Sequence, residues 1–362
     1  MATKAKGKFA FSNIFRQQIF IPLAALVILV VFNLIADPSF FKITLGTNNA
    51  GYPILSGSLI TILDYGSELA ILAIGMTIVT AATGGQDISV GAAIAIAGSV
   101  VLRVLCGNGS SDELQAPIIV AFLVSVVVAM LFGAFNGILV AYFKIQPMVA
   151  TLILYTAGRS IAAWINNNEL PIVNDPTFKY FGGLIPGIPI PTPFFIAAIC
   201  VLIIFLVLRF TTLGLFTQAV GINESSSKLN GLNPTLVKFL SFVILGVCVA
   251  VAALIKVSRL STINYSVIAK DIEMDAILAV ALGGNALGGG RFNMAASILG
   301  AYVIQFLTTT LYKFQVQSDA LPAYKAVVVI ILVVLSAPKT REYLNALGKK
   351  ISGMFRKEEV QA

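Results

Sequence analysis

Apolar residues recur along the chain in long unbroken runs, separated by short polar or Gly- and Pro-rich breaks. The runs fall at 17–36, 58–80, 88–105, 117–142, 148–166, 193–210, 235–257, 274–288, 292–311 and 321–337. A bilayer core about 30 Å thick takes roughly 20 apolar residues per spanning helix. The pattern therefore predicts an all-α, polytopic integral membrane protein with about ten transmembrane helices. Runs 148–166 and 274–288 are the weakest or shortest, and there a half-helix or re-entrant segment is the alternative.

An even number of spans puts both termini on one side. Lys4, Lys6, Lys8 and Arg16 precede the first run, and Lys339, Arg341, Lys349, Lys350, Arg356 and Lys357 follow the last. Basic flanks mark the cytoplasmic side, so both termini are expected there. The chain then divides into an N-terminal tail 1–16, a transmembrane domain 17–337 and a basic tail 338–362. The first run starts near Ile19 and lacks a small-residue cleavage pattern, so a signal peptide is not expected.

Alternation places 106–115 and 166–191 outside and 211–233 inside. Lys179, Lys256, Arg259, Lys270, Lys313 and Lys325 then fall on or near the outer side, against the charge rule. The stretch NNNELPIVNDPTFKYFGGLIPGIPIP, from Asn166, is too rich in Asn, Pro and Gly to span, and reads as an exterior loop.

Composition agrees with a membrane protein. Hydrophobic residues make up 58% and charged residues 11%, against about 25% charged in soluble domains, and the mean hydropathy is +0.93. There is no histidine, which removes the commonest general base and metal ligand. Cys106, Cys200 and Cys248 lie far apart and read as packing residues, so no metal site is expected. The net charge of +8 is concentrated at the two ends, and no nucleic-acid partner is expected.

Three breaks carry candidate chemistry. In TGGQDISVGA, Thr83 to Ala92, paired glycines interrupt two apolar runs. Backbone groups freed there must face protein or a water-filled cavity. Gln86, Asp87 and Ser89 then line a pathway, or Asp87 and Ser89 cap the next helix. GGNALGGGRFN, Gly283 to Asn293, lacks the GxxxxGK[ST] spacing and follows no strand, so it reads as a tight interhelical turn. No phosphate-binding loop of that type occurs, and no ATPase is expected in this chain.

The third break, AVGINESSSKLNGLNP from Ala219, predicts a short helix over 223–230. Asn223 would cap it, Glu224 and Lys228 would pair, Gly231 would stop it and Pro234 would follow. It is either a docking element for a cytoplasmic partner or an amphipathic helix on the membrane surface. Asp64, Glu68, Arg159, Lys256, Arg259 and Lys325 lie in or near apolar runs and are functional candidates by default. Snorkelling is the expectation for Lys256, Arg259 and Lys325.

These segments, in this order, resemble the membrane permeases of bacterial ATP-binding-cassette importers for monosaccharides, the family of the ribose, xylose, arabinose and autoinducer-2 permeases. GGQDISVGA is similar to the family's GGxDLSVG, and NGILVAYFKIQPMVATLIL, from Asn136, to NGxLVAxxxIxPFIATL. AVGINESSSKLNGLN resembles A[IV]GxNxxAAxxxGIN, with Ser225 and Ser226 standing for small alanines. EMDAILAVALGGNALGGGRFN, from Glu273, resembles ELDAIAAVxxGGxSLxGGxG. The GGGRFN variant, with IQPMVATLIL and KAVVV, is most similar to galactofuranose-type permeases.

The resemblance implies a ten-helix permease subunit in the bacterial inner membrane. It translocates a monosaccharide, galactofuranose or a related sugar, delivered by a periplasmic sugar-binding protein. A second permease, identical or different, and a cytoplasmic ATPase complete the assembly; ATP and Mg belong to the ATPase, and this chain is no enzyme and carries no cofactor. Gly221, Asn223, Glu224, Lys228, Gly231 and Asn233 match the loop that couples to the ATPase. Gln86, Asp87, Ser89, Asn136 and Asn285 are expected nearer the substrate pathway than the lipid. The competing reading is a secondary sugar transporter driven by an ion gradient; it needs deep carboxylates or histidines, and Asp87 is the best candidate.

Overall fold

The computed structural model describes residues 19–47, 53–107, 109, 111 and 113–336, so both basic tails, 1–16 and 338–362, lie outside the described residues. Each of the ten apolar runs carries a helix. They are α1 (Phe20–Ala36), α2 (Ser58–Thr83), α3 (Val90–Cys106), α4 (Ile118–Ala141), α5 (Pro147–Ile165), α7 (Thr192–Phe210), α10 (Pro234–Leu260), α11 (Ile272–Leu282), α12 (Met294–Lys313) and α13 (Leu321–Ser336). Among the described residues three short α-helices lie between spans, α6 (Pro176–Lys179), α8 (Leu213–Ile222) and α9 (Glu224–Leu229), besides a 3-10 turn at Pro38–Phe41. Helices α2, α4, α5, α7, α10 and α12 are long and apolar enough to cross a bilayer. The chain is a polytopic, mainly helical membrane protein.

Two features depart from the hydropathy pattern. A two-stranded antiparallel hairpin, β1 (Thr44–Thr47) with β2 (Pro53–Ser56), joins the region after α1 to α2; four-residue strands leave no trace in a search for spanning runs. The run 274–288 is helical only to Leu282, because the chain turns at Gly283 and Gly284, the latter at φ +71°. Eleven residues reach only about 16 Å, so α11 is a half-helix.

Helix α2 forms the axis of the bundle. It is apolar all round and buried along most of its length, as a central helix must be, and it packs against α7, α8, α10, α11 and α12. Helix α4 buries Ala121, Ser125, Ala129 and Gly137, with Ala129, Gly133 and Gly137 against α10 and Ser125 donating to Ala97 O of α3, while Leu123, Val127 and Leu131 face outward. A Cβ on Gly246 of α10 would lie 2.5 Å from the Ala129 carbonyl. Close backbone approach of this kind is what drives helix association in lipid, where apolar side chains gain nothing by leaving one apolar solvent for another.

The bundle has two distinct ends. The C-terminus of α2, the start of α10 and the α8–α9 pair meet at one; the segment 166–191 and the C-terminus of α10 meet at the other, where Gly182 donates its N–H to Ser258 Oγ at 2.7 Å. The first is the α9 end and the second the loop end.

Candidate functional site

At the α9 end the two glycine-rich breaks, about two hundred residues apart in sequence, pack on one another. Gly84 ends α2 in the left-handed region, φ +68°, with its N–H on Thr80 O. A Cβ there would lie 2.7 Å from Gly288 O, and Gly290 donates its N–H to Ala81 O at 2.9 Å. Gln86 Nε2 donates to Leu287 O at 3.1 Å. Gly221, at the end of α8, lies against the Ala81 carbonyl and the Gly290 nitrogen with no room for a side chain. The two glycine-rich breaks thus form a physical joint.

Beside the joint, Asp87, Ser89 and Asn136 form one buried knot. Asp87 Oδ1 accepts from Ser89 N at 2.7 Å and from Ser89 Oγ at 2.6 Å. Asn136 Nδ2 donates to Asp87 Oδ2 at 3.2 Å and to Ser89 Oγ at 3.0 Å. The side chain of Asp87 closes an Asx turn at the entry to α3, while Asn136 ties that turn to α4. Asn285 belongs to a separate latch across the 283–293 turn. Its Oδ1 accepts from Asn293 N at 2.7 Å, and its Nδ2 donates to Ser297 Oγ at 2.7 Å. All five residues are buried within the chain.

The α9 helix forms where the sequence placed it. Asn223 Oδ1 accepts from Ser226 N at 2.9 Å. Gly231 at φ +82° closes the far end, with Gly231 N on Lys228 O and Leu232 N on Ser227 O, the paired bonds of a left-handed helix stop. Asn233 caps α10 through Leu236 N at 3.1 Å. The ion pair differs from expectation. Glu224 pairs with Lys144 of the α4–α5 turn at 2.7 Å and with Lys238 of α10 at 2.6 Å, and Lys228 makes no ion pair among the described residues. The first turn of α9 faces back to the bundle, so its acid meets cations of other elements. Hydrogen bonds from Lys144 and then Lys238 hold the Glu224 carboxyl down at about 2. Leu229 is 89% exposed on this pinned helix.

Toward the loop end lies a second polar region that hydropathy alone did not assemble. Glu68, 1% exposed, pairs with Lys256 at 2.8 Å and with Arg259; Arg259 also pairs with Asp64 at 2.8 Å and sits 4.1 Å from the centre of the Tyr65 ring. Lys325 pairs with Asp275 at 2.7 Å. Lys256, Arg259 and Lys325, expected to snorkel, each have a carboxylate partner inside the protein. Arg159 Nη1 donates to the carbonyls of Tyr265 and Ile268, both at 2.9 Å. It braces an irregular segment, 261–271, that precedes α11. The members missed in the sequence are Tyr65 and Asp275; Asp275 is the lone acid of the run 274–288, but its pairing with Lys325 is a tertiary contact that no local spacing signals.

Residues 58–337 match the family described as branched-chain amino acid transport system, permease component. The fructose import permease protein of Bifidobacterium longum is 34% identical over 352 residues, covering 96% of this chain and 95% of its own. The galactofuranose transporter permease protein of Escherichia coli K12 is 38% identical over 317 residues, 87% of this chain and 88% of that one. The ribose import permease protein of the same strain is 32% identical over 322 residues, 88% and 93% respectively. No solved structure matches the chain.

Proposed function

The chain belongs to the branched-chain amino acid transport system, permease component family, and from that premise we propose that it is the membrane-spanning subunit of an ATP-binding-cassette importer for a monosaccharide. The relatives named for fructose, galactofuranose and ribose support a sugar as cargo, and a sugar that adopts the furanose ring is the narrower reading. In this assignment the α9 end is cytoplasmic and the loop end faces the periplasm of a bacterial inner membrane. About ten segments span, and both termini are cytoplasmic.

The observation that carries the reading is the α8–α9 pair. A six-residue helix is too short to persist alone in water, yet this one is capped at both ends and clamped by two lysines, and it presents Leu229 outward. That is the build of a contact element for a cytoplasmic ATPase, with Gly221, Asn223, Glu224, Lys228, Gly231 and Asn233 shaping it. Gln86, Asp87, Ser89, Asn136 and Asn285 then form the inner end of the pathway, adjoining the joint on which α8 rests. Hydrolysis, with ATP and Mg, resides on the partner ATPase. A periplasmic binding protein meets the 166–191 segment, and a second permease, identical or different, completes the passage.

Proteoliposomes holding the whole complex test this. Uptake should require the ATPase and internal ATP, and should persist when the proton gradient is collapsed. Sugar uptake by this chain alone, driven by an ion gradient, would replace the proposal with a secondary transporter.

A further inference from the structure

A polar cavity of about 290 Å³ opens between α2, α10, α11, α12 and the segment before α11, walled in part by Tyr65, Glu68, Lys256, Lys270, Asp275 and Gln305. Its depth follows from the helices. Glu68 lies ten residues beyond Ser58, about 15 Å along α2, and Asp275 is in the first turn of the half-helix α11. The segment before α11 is irregular, with Ala269 and Asp271 at positive φ, and its Ala269 carbonyl abuts Gly91. Irregular backbone at membrane depth persists only where it is buried in protein or lines a water-filled space. Both conditions are met, the first by Arg159 on the Tyr265 and Ile268 carbonyls, the second by the cavity. Broken helices that open on a polar cavity near the midplane are the recurring way a bundle holds a ligand in transit.

The charges of the wall narrow the ligand. Glu68 is matched by Lys256 and Arg259, and Asp275 by Lys325; Lys270 is exposed at the rim. Deep in the cavity an ionic ligand would have to separate pairs already formed, Lys270 at the rim being the wall's one cation without an ion pair among the described residues, whereas hydroxyl groups can donate to the carboxylates and accept from the Lys256 ammonium while the pairs stay intact. Gln305 adds a group that both donates and accepts, and its amide makes only a marginal bond, to Thr309 Oγ1 at 3.4 Å. The larger cleft of about 610 Å³ between α4, α7 and α10 is lined by apolar side chains such as Phe122, Ile204 and Ile244 and offers hydroxyls nothing. The polar cavity is at the small end of ligand clefts, about 300–1,000 Å³.

We infer that this cavity is a binding station for a neutral, polyhydroxylated ligand, with Gln305, Glu68, Lys256 and Asp275 as its hydrogen-bonding wall. The inference rests on the sugar-importer reading and gives that reading a place in the chain. The test uses the complete complex in proteoliposomes, with radiolabelled D-fructose, D-ribose, D-galactose and L-leucine as probes. For the sugar carried, Gln305→Leu should raise the half-saturating concentration by roughly ten-fold, as for one lost hydrogen bond to a buried hydroxyl, and Gln305→Asn should recover part of it. On a background without the three native cysteines, the Gln305→Cys variant should react with a membrane-impermeant thiol reagent, and the carried sugar should slow that reaction while leucine does not. The labelling decides even if Gln305→Leu fails to assemble. Wild-type uptake of leucine and of no sugar overturns the importer reading and the station together. Sugar uptake with Gln305→Leu indistinguishable from wild type, and no protection of the Gln305→Cys variant, overturns the station alone.

Discussion

Gly290 donates its backbone N–H to the carbonyl of Ala81 at 2.9 Å, and Gly221 lies against the same two groups. Three segments far apart in sequence thus touch through main-chain atoms: the end of α2, the turn before α12 and the end of α8. Because no flexible side chain intervenes, a displacement of α8 must move the other two or break the contact. The joint therefore links the exposed α9 helix to the breaks that hold Asp87 and Asn285.

Gly221→Ala follows directly. The added Cβ would collide with backbone at Ala81, which cannot rotate away, so α8 must shift. Overpacking of this kind costs about 1–3 kcal/mol. The purified protein should melt several degrees lower, and in the complex uptake should fall more than ATP hydrolysis. Unchanged melting and uptake would show that α8 and α2 do not bear on each other as described.

The ion network near the loop end predicts an asymmetric response. Glu68→Ala leaves Lys256 and Arg259 facing one another with only Asp64 to offset them, and removing one partner from a buried pair costs about 3–5 kcal/mol. Combining Glu68→Leu with Lys256→Met should recover part of that loss, since the buried charge is removed along with its partner. Thermal unfolding of the single and double variants in detergent checks this; additive losses would contradict a shared network.

Glu224 gives a pH prediction whose sign is fixed by its partners. Its carboxyl titrates at about 2 in the folded chain, against 4.5 for the free group, because Lys144 and then Lys238 hydrogen-bond its ionised form. The stabilisation is fully present above about pH 4.5 and is lost as pH falls toward 2. A half-exposed pair contributes less than about 1 kcal/mol, so the measurement should be the difference between wild type and Glu224→Gln. That difference should be constant from pH 7 to pH 5 and shrink below. A difference that grows on acidification would place Glu224 elsewhere.

How much of this was legible depended on the range of each interaction. The apolar runs gave the helices to within a few residues except at 274–288, where the helix stops at Leu282, and Asn223 and Gly231 gave the ends of α9, because caps and stops are local. The hairpin at Thr44–Ser56 was missed because its apolar content is too small to register beside spanning runs. Pairings were the hard part. Glu224 met Lys144 and Lys238 instead of its helical neighbour Lys228, and Glu68 met Lys256 nearly two hundred residues away. Spacing along one helix says nothing of which helix comes to lie beside it. The polar cavity was invisible for the same reason, since its wall is drawn from four helices and an unwound segment.

Asn285 offers a sharper test of the turn before α12. Its amide serves Asn293 N, Ser297 Oγ and the Val280 carbonyl, while Thr77 Oγ1 donates onward to Ser297 Oγ at 2.7 Å. Asn285→Ala would leave these groups short of partners in a buried place, a loss of about 1–3 kcal/mol. The Asn285→Cys thiol should resist an impermeant reagent as long as the turn is closed. Labelling confined to the transport state in which the turn opens would keep Asn285 at the inner end of the pathway, and labelling in no state would remove it from there.

The last prediction concerns what covers Leu229. The residue is 89% exposed at the end of a helix pinned to the bundle by Glu224, with Ser227 buried behind it. Lipid would accept such a side chain, and so would an apolar pocket on a cytoplasmic ATPase, but the two differ in what the rest of the helix meets. Ser225 and Ser226 are exposed too, and an outward face of hydroxyls around one leucine has little to gain from acyl chains. It suits a protein groove with a polar rim. Leu229→Asp should therefore leave the purified chain folded and membrane-inserted, while the ATPase no longer co-purifies or its hydrolysis no longer drives uptake. A cysteine placed at Ser226, on the background without native cysteines, should crosslink to the ATPase and react weakly with lipid-borne thiol probes. Strong lipid labelling, no crosslink and normal uptake by Leu229→Asp would together assign α9 to the membrane surface.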